Sequence, residues 1–261
     1  MIDSGYRGKE SVILQEFFQK NPGGALAFSG GVDSAYLLYA AGVWGKDWRA
    51  YYVKSPFQPD FEWQDALRLA KEQGVPMTTL PVDVLQDPLV AENSPERCYH
   101  CKKAIFQRII EEAKKDGCTL LIDGTNASDD AGDRPGMRAL RELSVRSPLR
   151  ECGLTKDAIR RLSKEAGLFT WDKPAYACLA TRMPTGTSIT KEMLRRTEEG
   201  EDFLFSLGFS DFRVRMTPEG GAKLQLPASQ LPKLLQERQK VLCKLKEYYP
   251  SVVLDLEVRH E

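Results

Sequence analysis

Apolar residues in the first two thirds of the chain come as short runs, separated by amphipathic stretches. Gly24-Ala25-Leu26-Ala27-Phe28-Ser29 is a brief apolar run that ends in glycines, which predicts a buried strand. Residues 49–55, 77–82 and 119–123 read the same way. Between them, 33–41 has helical composition, and 61–73 and 95–116 are helical stretches closed by Gly74 and Gly117. Residues 8–20 predict a short amphipathic helix, and 155–166 a helix with Thr155 as N-cap and Gly167 as its stop. Strands alternating with helices predict an α/β fold, a parallel sheet with helices on both faces. Ligands of such sheets bind at the carboxyl ends of the strands. The informative loops are therefore those after Phe28, Val53, Val82 and Ile122.

The pattern changes after about residue 186. Residues 189–207 are helical, and 211–216 alternate strictly, with Phe212, Val214 and Met216 on one face. A short strand at 222–226 follows. Leu231, Leu234, Leu235, Val241, Leu242 and Leu245 recur with helical spacing, and 252–258 reads as a last strand. The chain thus predicts two domains, an α/β domain over 1–186 and a small α+β domain over 187–261. There is no internal repeat and no low-complexity tract.

Composition narrows the function classes. The 261 residues are 42% hydrophobic, enough to build a core. No run approaches the ~18 apolar residues of a membrane span. The N-terminal stretch has no apolar h-region, so the expected compartment is the cytoplasm. Lys plus Arg and Asp plus Glu are both 37, and this balance argues against a broad nucleic-acid surface. Six cysteines in that compartment read as thiols, metal ligands or catalysts rather than disulfides. The two histidines, His100 and His260, are too few for a His-rich metal site.

Ser29-Gly30-Gly31-Val32-Asp33-Ser34 lies between the first strand and its helix. Glycines let backbone approach phosphate closely, and the helix that follows offers free N–H groups at its positive dipole end. Ser29 and Ser34 add hydroxyl donors. Asp33 is acidic beside a phosphate site, which makes sense if it holds Mg²⁺. The plain alternative is a tight turn with a Ser/Asp cap. The full string in strand–loop–helix context favours phosphate. It lacks the Lys of a Walker A loop and the three-glycine Rossmann spacing. By position, Ser55 after the second strand and Gly124 and Thr125 after the fourth also border the nucleotide site, although Asp-Gly-Thr-Asn is also an ordinary turn.

Cys98-Tyr99-His100-Cys101 opens the long helix, and Cys178 lies in Lys173-Pro174-Ala175-Tyr176-Ala177-Cys178-Leu179. Thiolates at i and i+3 share one helix face and can chelate one metal centre. A third from a distant loop would complete a set suited to a four-iron cluster with one open iron. Zinc with His100 as fourth ligand fits the same spacing, as does a plain or redox pair of thiols. Cys118, Cys152 and Cys243 carry no assigned chemistry.

The glycine loop resembles that of the PP-loop ATP pyrophosphatases, which implies HUP-type topology and cleavage of ATP between the α- and β-phosphates. Four stretches together resemble the LarE family of ATP-dependent sulfurtransferases, which make the nickel-pincer cofactor. They are the glycine loop, Glu96-Arg97-Cys98-Tyr99-His100-Cys101-Lys102-Lys103, Arg134-Pro135-Gly136, and Ala177-Cys178-Leu179-Ala180-Thr181-Arg182-Met183-Pro184-Thr185-Gly186-Thr187. The likeness runs nearly end to end and includes Phe212-Arg213-Val214-Arg215.

The resemblance implies pyridinium-3,5-biscarboxylic acid mononucleotide as substrate and ATP with Mg²⁺ as co-reactant. One carboxylate becomes an acyl adenylate, and sulfur displaces AMP to leave a thiocarboxylate for nickel insertion. Cys178 matches the cysteine that single-cysteine members sacrifice. Those members carry Trp and Ala where this chain has Cys98 and Cys101, so the resemblance is to the three-cysteine subtype. That subtype binds a [4Fe-4S] cluster whose open iron holds hydrosulfide from a sulfur donor. Arg213 and Arg215 are implied to grip the substrate phosphate, which paired guanidiniums suit; the plain alternative is a solvent-facing strand. Arg182 and Lys173 flank Cys178 and either neutralise substrate or pyrophosphate charge or form structural ion pairs. Single-cysteine members have an acidic metal cluster in the second domain. Glu201 matches one member of it, but Gln225 and Lys233 occupy the others, so that site is not carried over. The family implies a homo-oligomer, with a hexamer as one form.

Three rivals compete with this reading. A PP-loop tRNA thiolase with a cluster needs a basic surface or an RNA module, which neutral charge disfavours. An amidating PP-loop enzyme would not need three cysteines. An ATP-sensing or zinc-stabilised module would release no pyrophosphate.

Overall fold

The structure, a computed structural model, describes residues 9–129 and 135–257. His260, Arg134 and the end of the expected last strand at Val258 lie outside them. The elements follow the order α1 (Lys9–Lys20), β1 (Gly23–Ala27), α2 (Val32–Trp44), β2 (Asp47–Lys54), α3 (Asp60–Gln73), β3 (Met77–Pro81), α4 (Pro88–Ala91), α5 (Arg97–Lys115) and β4 (Leu121–Asp123). Then come α6 (Pro135–Glu142), α7 (Pro148–Glu151), α8 (Lys156–Glu165), α9 (Lys191–Ser206), β5 (Arg213–Met216), β6 (Ala222–Gln225), α10 (Leu231–Lys246) and β7 (Val252–Leu254). Every strand and long helix that periodicity predicted is present. Three helices were missed: α4 and α7 span four residues each, too short to show a period, and begin with Pro at the favoured first position, and α6 spans only eight residues. The last strand stops at Leu254, earlier than expected.

The chain divides into two compact units that interleave in sequence. The first comprises 1–55, 60–82 and 98–173; the second comprises 56–59, 83–97 and 174–261.

In the first unit the strands form a parallel sheet ordered β3-β2-β1-β4. Alternate residues point to opposite faces. Leu26, Ala50, Tyr52 and Ile122 join the core beneath α1, α2, α3 and α8. Ala25, Tyr51, Val53 and Leu80 meet Ile109 and Ala113 of α5 in a separate core. Both faces are covered, as an all-parallel sheet requires. This is the α/β architecture expected from the sequence. The order has one functional consequence. From β1 the chain runs outward through β2 and β3, then returns to place β4 on the other side of β1. The switch point therefore lies between the carboxyl ends of β1 and β4, where Ala27 pairs with Asp123.

In the second unit β5 pairs antiparallel with β6, and β6 pairs parallel with β7. Phe212, Val214, Ala222 and Leu224 pack with Leu204 of α9 and Leu234, Val241 and Leu245 of α10. The alternation read from 211–216 thus sets the buried face, although Met216 is only half-buried. Among the described residues no helix is long and apolar enough to cross a membrane.

Candidate active site

The glycine loop occupies the switch point of the first unit. Gly30 has φ of 76°, in the left-handed region, and a Cβ there would lie 3.2 Å from the Glu62 carbonyl oxygen. Gly31 is the N-cap of α2 without a side-chain cap, so the helix start keeps backbone donors for a ligand. The Ser34 hydroxyl sits 3.0 Å from the Ser29 hydroxyl and donates to the Gly31 carbonyl at 3.1 Å. Gly124, just past β4, faces this turn: a Cβ would come within 2.9 Å of the Ser34 nitrogen. Only a glycine lets the β4 loop pass so close. Asp123 orders that loop by accepting from the Ser147 hydroxyl at 2.6 Å and the Thr125 hydroxyl at 2.5 Å. Ser55 is buried immediately after β2. The residues expected around a nucleotide, Ser29, Gly30, Gly31, Asp33, Ser34, Ser55, Gly124 and Thr125, all follow the carboxyl ends of β1, β2 and β4.

Asp33 is the acidic group at the start of α2. Its Oδ2 pairs with Lys156 Nζ at 2.6 Å, while its buried Oδ1 has no charged partner among the described residues, and the neutral Asn126 side chain lies beside the carboxyl. Burial raises the Asp33 carboxyl above the usual range, with the Lys156 ammonium pulling the other way. A buried carboxylate oxygen with no charged partner fits a role in holding Mg²⁺. Lys156 escaped the sequence reading, because one lysine opening a helix carries no local signal. Lys173, expected to neutralise ligand charge, pairs with Asp65 at 2.7 Å and stands 3.8 Å from Glu62.

Cys98 and Cys101 lie three residues apart in the first turns of α5; Cys98 is exposed and Cys101 half-buried. Soft thiols three apart on a helix are suitable donors for an iron–sulfur cluster or zinc. His100 packs edge-on to Tyr99, with ring centres 5.1 Å apart. Cys178 belongs to the second unit. Among the described residues no group of three or more His, Cys, Asp or Glu side chains is arranged to hold a metal ion. None of the six cysteines is in a disulfide. Cys152 is buried, and burial pushes its thiol up to about 11.

Cys178 precedes a 3-10 turn at Leu179–Arg182, in a loop braced from several sides within the second unit. Arg182 donates to the Ala177 carbonyl at 2.6 Å and binds Glu201 through Nε and Nη2, both at 2.9 Å. Glu201 also accepts from Tyr176 Oη at 2.6 Å and from the Val214 N–H at 2.9 Å. The Tyr176 ring carries the Arg182 guanidinium at 4.5 Å and that of Arg213 at 5.2 Å. Arg213 donates to the Ala175 carbonyl, and Arg215 to the Thr181 carbonyl at 2.6 Å. Arg97 reaches the Ala180 carbonyl at 2.9 Å, and the Leu179 N–H bonds the Phe57 carbonyl at 2.9 Å.

No family model matches the chain. Curated relatives do. A pyridinium-3,5-bisthiocarboxylic acid mononucleotide synthase of Lactiplantibacillus plantarum is 33% identical over 88% of this chain and 84% of its own length. The chain belongs to the LarE family. Uncharacterized proteins of Synechocystis sp. (34% identity over 86% of this chain and 84% of the relative) and Methanocaldococcus jannaschii (30% over 94% and 93%) are also similar.

Against the LarE motifs, the structure gives several residues partners that sequence could not. Arg213 is buried, so the solvent-facing alternative fails for it, and Arg215 is half-buried against Gln225. Glu201 is committed to Arg182, Tyr176 and Val214 rather than standing in an acidic cluster. Gln225 accepts from Arg215 and donates to Asp255 at 2.7 Å, and Lys233 donates to the Gly208 carbonyl at 2.7 Å. The bracing roles of Tyr176 and Arg97 went unread, since both act through contacts distant in sequence.

Proposed function

We propose that this LarE-family chain is an ATP-dependent sulfurtransferase acting on pyridinium-3,5-biscarboxylic acid mononucleotide. The observation that carries the reading is the Ser29–Ser34 loop at the switch point between β1 and β4, in a chain similar to a named bisthiocarboxylic acid mononucleotide synthase. A substrate carboxylate oxygen attacks the α-phosphorus of ATP; the bond to the bridging oxygen breaks and pyrophosphate leaves. A sulfur nucleophile then attacks the acyl carbon, and AMP departs with the former carboxylate oxygen. Activation is needed because oxide leaves a carboxylate poorly, whereas AMP leaves readily.

The glycine loop holds the leaving pyrophosphate through backbone N–H groups and the Ser29 and Ser34 hydroxyls. Asp33 would hold Mg²⁺, which supplies countercharge to the phosphates. Ser55 and Gly124 border the nucleoside. Arg213 and Arg215 are read as the grip on the substrate phosphate, a task that paired guanidiniums suit. Arg182 and Lys173, read as neutralising ligand charge or as structural ion pairs, take the second role here, with Glu201 and with Asp65 as their partners. Cys98, Cys101 and Cys178 are read as ligands of a [4Fe-4S] cluster; when bound, it would supply an open iron able to carry hydrosulfide. We place the enzyme in the cytoplasm as a homo-oligomer.

A second reading, single use of the Cys178 sulfur, is favoured by the frame around that residue. Arginine contacts at Ala175, Ala177, Ala180 and Thr181 fix the backbone of a lone donor.

The test is incubation of the anaerobically purified protein with ATP, Mg²⁺, the dicarboxylate mononucleotide and sulfide. AMP and pyrophosphate forming in step with thiocarboxylate is the expected result. ADP formation, or no pyrophosphate release, would sink the reading. Thiocarboxylate limited to one per chain, with Cys178 left as dehydroalanine and lighter by the elements of hydrogen sulfide, would select the second.

A further inference from the structure

We propose that Lys156 is a resident counter-cation for Asp33 that also serves the nucleotide: it neutralises the loop carboxylate when no metal is present and reaches the phosphates when one is. This rests on reading the glycine loop as an ATP site.

The pairing is one-sided. Lys156 Nζ contacts Asp33 Oδ2 at 2.6 Å, whereas the buried Oδ1 has no cation of its own among the described residues and the carboxyl's other neighbour is the neutral Asn126 side chain. Asp33 therefore keeps one oxygen open for another ligand while the first is held. An uncompensated carboxylate at this helix start would repel a polyphosphate, and Asp129 adds like charge nearby. Lys156 is the cation that offsets this repulsion.

Its anchoring suits the task. The Lys156 backbone N–H donates to the Ser128 hydroxyl at 3.0 Å, Thr155 caps α8, and the Ala127 N–H bonds the Leu154 carbonyl at 2.8 Å. The backbone is thus tied to the loop after β4, which borders the glycine turn. The side chain is 32% exposed and its four-carbon stem is flexible, so the ammonium can move from carboxylate to phosphate without moving α8.

The experiment is calorimetric titration of the full chain with ATP, once with Mg²⁺ and once with EDTA. In EDTA, Lys156→Met should weaken ATP binding by about tenfold or more, and Asp33→Asn added to it should restore most of the loss, because the repelling charge is gone. With Mg²⁺ the loss from Lys156→Met should be several-fold smaller, and Lys156→Arg should stay close to wild type. A general folding defect would not be rescued by removing Asp33 or by magnesium. Equal affinity of Lys156→Met and wild type in EDTA, or no rescue in the double variant, would overturn the proposal. Wild-type protein that binds no ATP in either buffer would instead overturn the ATP-site reading beneath it.

Discussion

Arg182 and Glu201 make a two-armed salt bridge with both side chains out of solvent, 0% and 1% exposed, and with both N–O distances at 2.9 Å. It links α9 to the turn after Cys178 and satisfies the Val214 N–H of β5 in passing. Deleting one partner strands the other charge in an apolar setting. Glu201→Ala should destabilise the protein by ~3–5 kcal/mol in urea unfolding. Adding Arg182→Met should recover part of that, because no buried charge is then unpaired. A loss below ~1 kcal/mol for Glu201→Ala would show that water reaches the pair.

Gly124→Ala tests the close approach of the β4 loop to the glycine turn. The added methyl would stand 2.9 Å from Ser34 N and 3.0 Å from its Cα, both backbone atoms that cannot step aside. The expected outcome is a loss of ~1–3 kcal/mol in stability and weaker ATP binding, read by urea unfolding and calorimetry. Wild-type values for both would mean that the turn yields.

Cys152 gives a pH prediction. Its thiol is raised from 9.0 to about 11 by burial, with the Glu151 charge adding to the effect. Between those values the folded protein holds a proton that the unfolded chain has lost, so stability falls as pH rises through the window. Cys152→Ala should flatten this contribution, seen as a smaller drop in unfolding free energy between pH 9 and pH 11 than in wild type. In wild type, alkylation of Cys152 should be slow at pH 8. Rapid labelling there would contradict the burial argument.

The thiol set yields a composition test. Anaerobic protein should carry about four irons and four acid-labile sulfides per chain, and Cys98→Ala, Cys101→Ala or Cys178→Ala should each lower both. Protein that stays iron-free after reconstitution would return Cys178 to a sacrificial role, with zinc as the remaining use of the pair.

Much of the fold was legible because its signals are local. Short apolar runs set β1 to β4, glycines closed α3 and α5, and Thr155 capped α8 through the Ala158 N–H. Strict alternation in 211–216 set which face of β5 joins the apolar core. The glycine loop could be read because its chemistry lies in consecutive residues at a strand end. The four-residue helices α4 and α7 and the eight-residue α6 could not be read, since one or two turns are too few to show a helical period.

Partnership depends on folding. Lys156 lies far along the chain from Asp33, Glu201 from Arg182, and Ser34 from Gly124; each pair meets only through packing of distant elements. Arg213 and Arg215 show the difference plainly. Their alternation put both on the face opposite Val214, and the tertiary structure alone set their guanidiniums against the Ala175 and Thr181 carbonyls. Propensity and periodicity act over a few residues, so local order along the chain is enough to set which of the longer elements form and which motifs end the strands. The tertiary structure decided which charges are paired and which oxygen stays open, because burial and Coulomb attraction depend on distance in space.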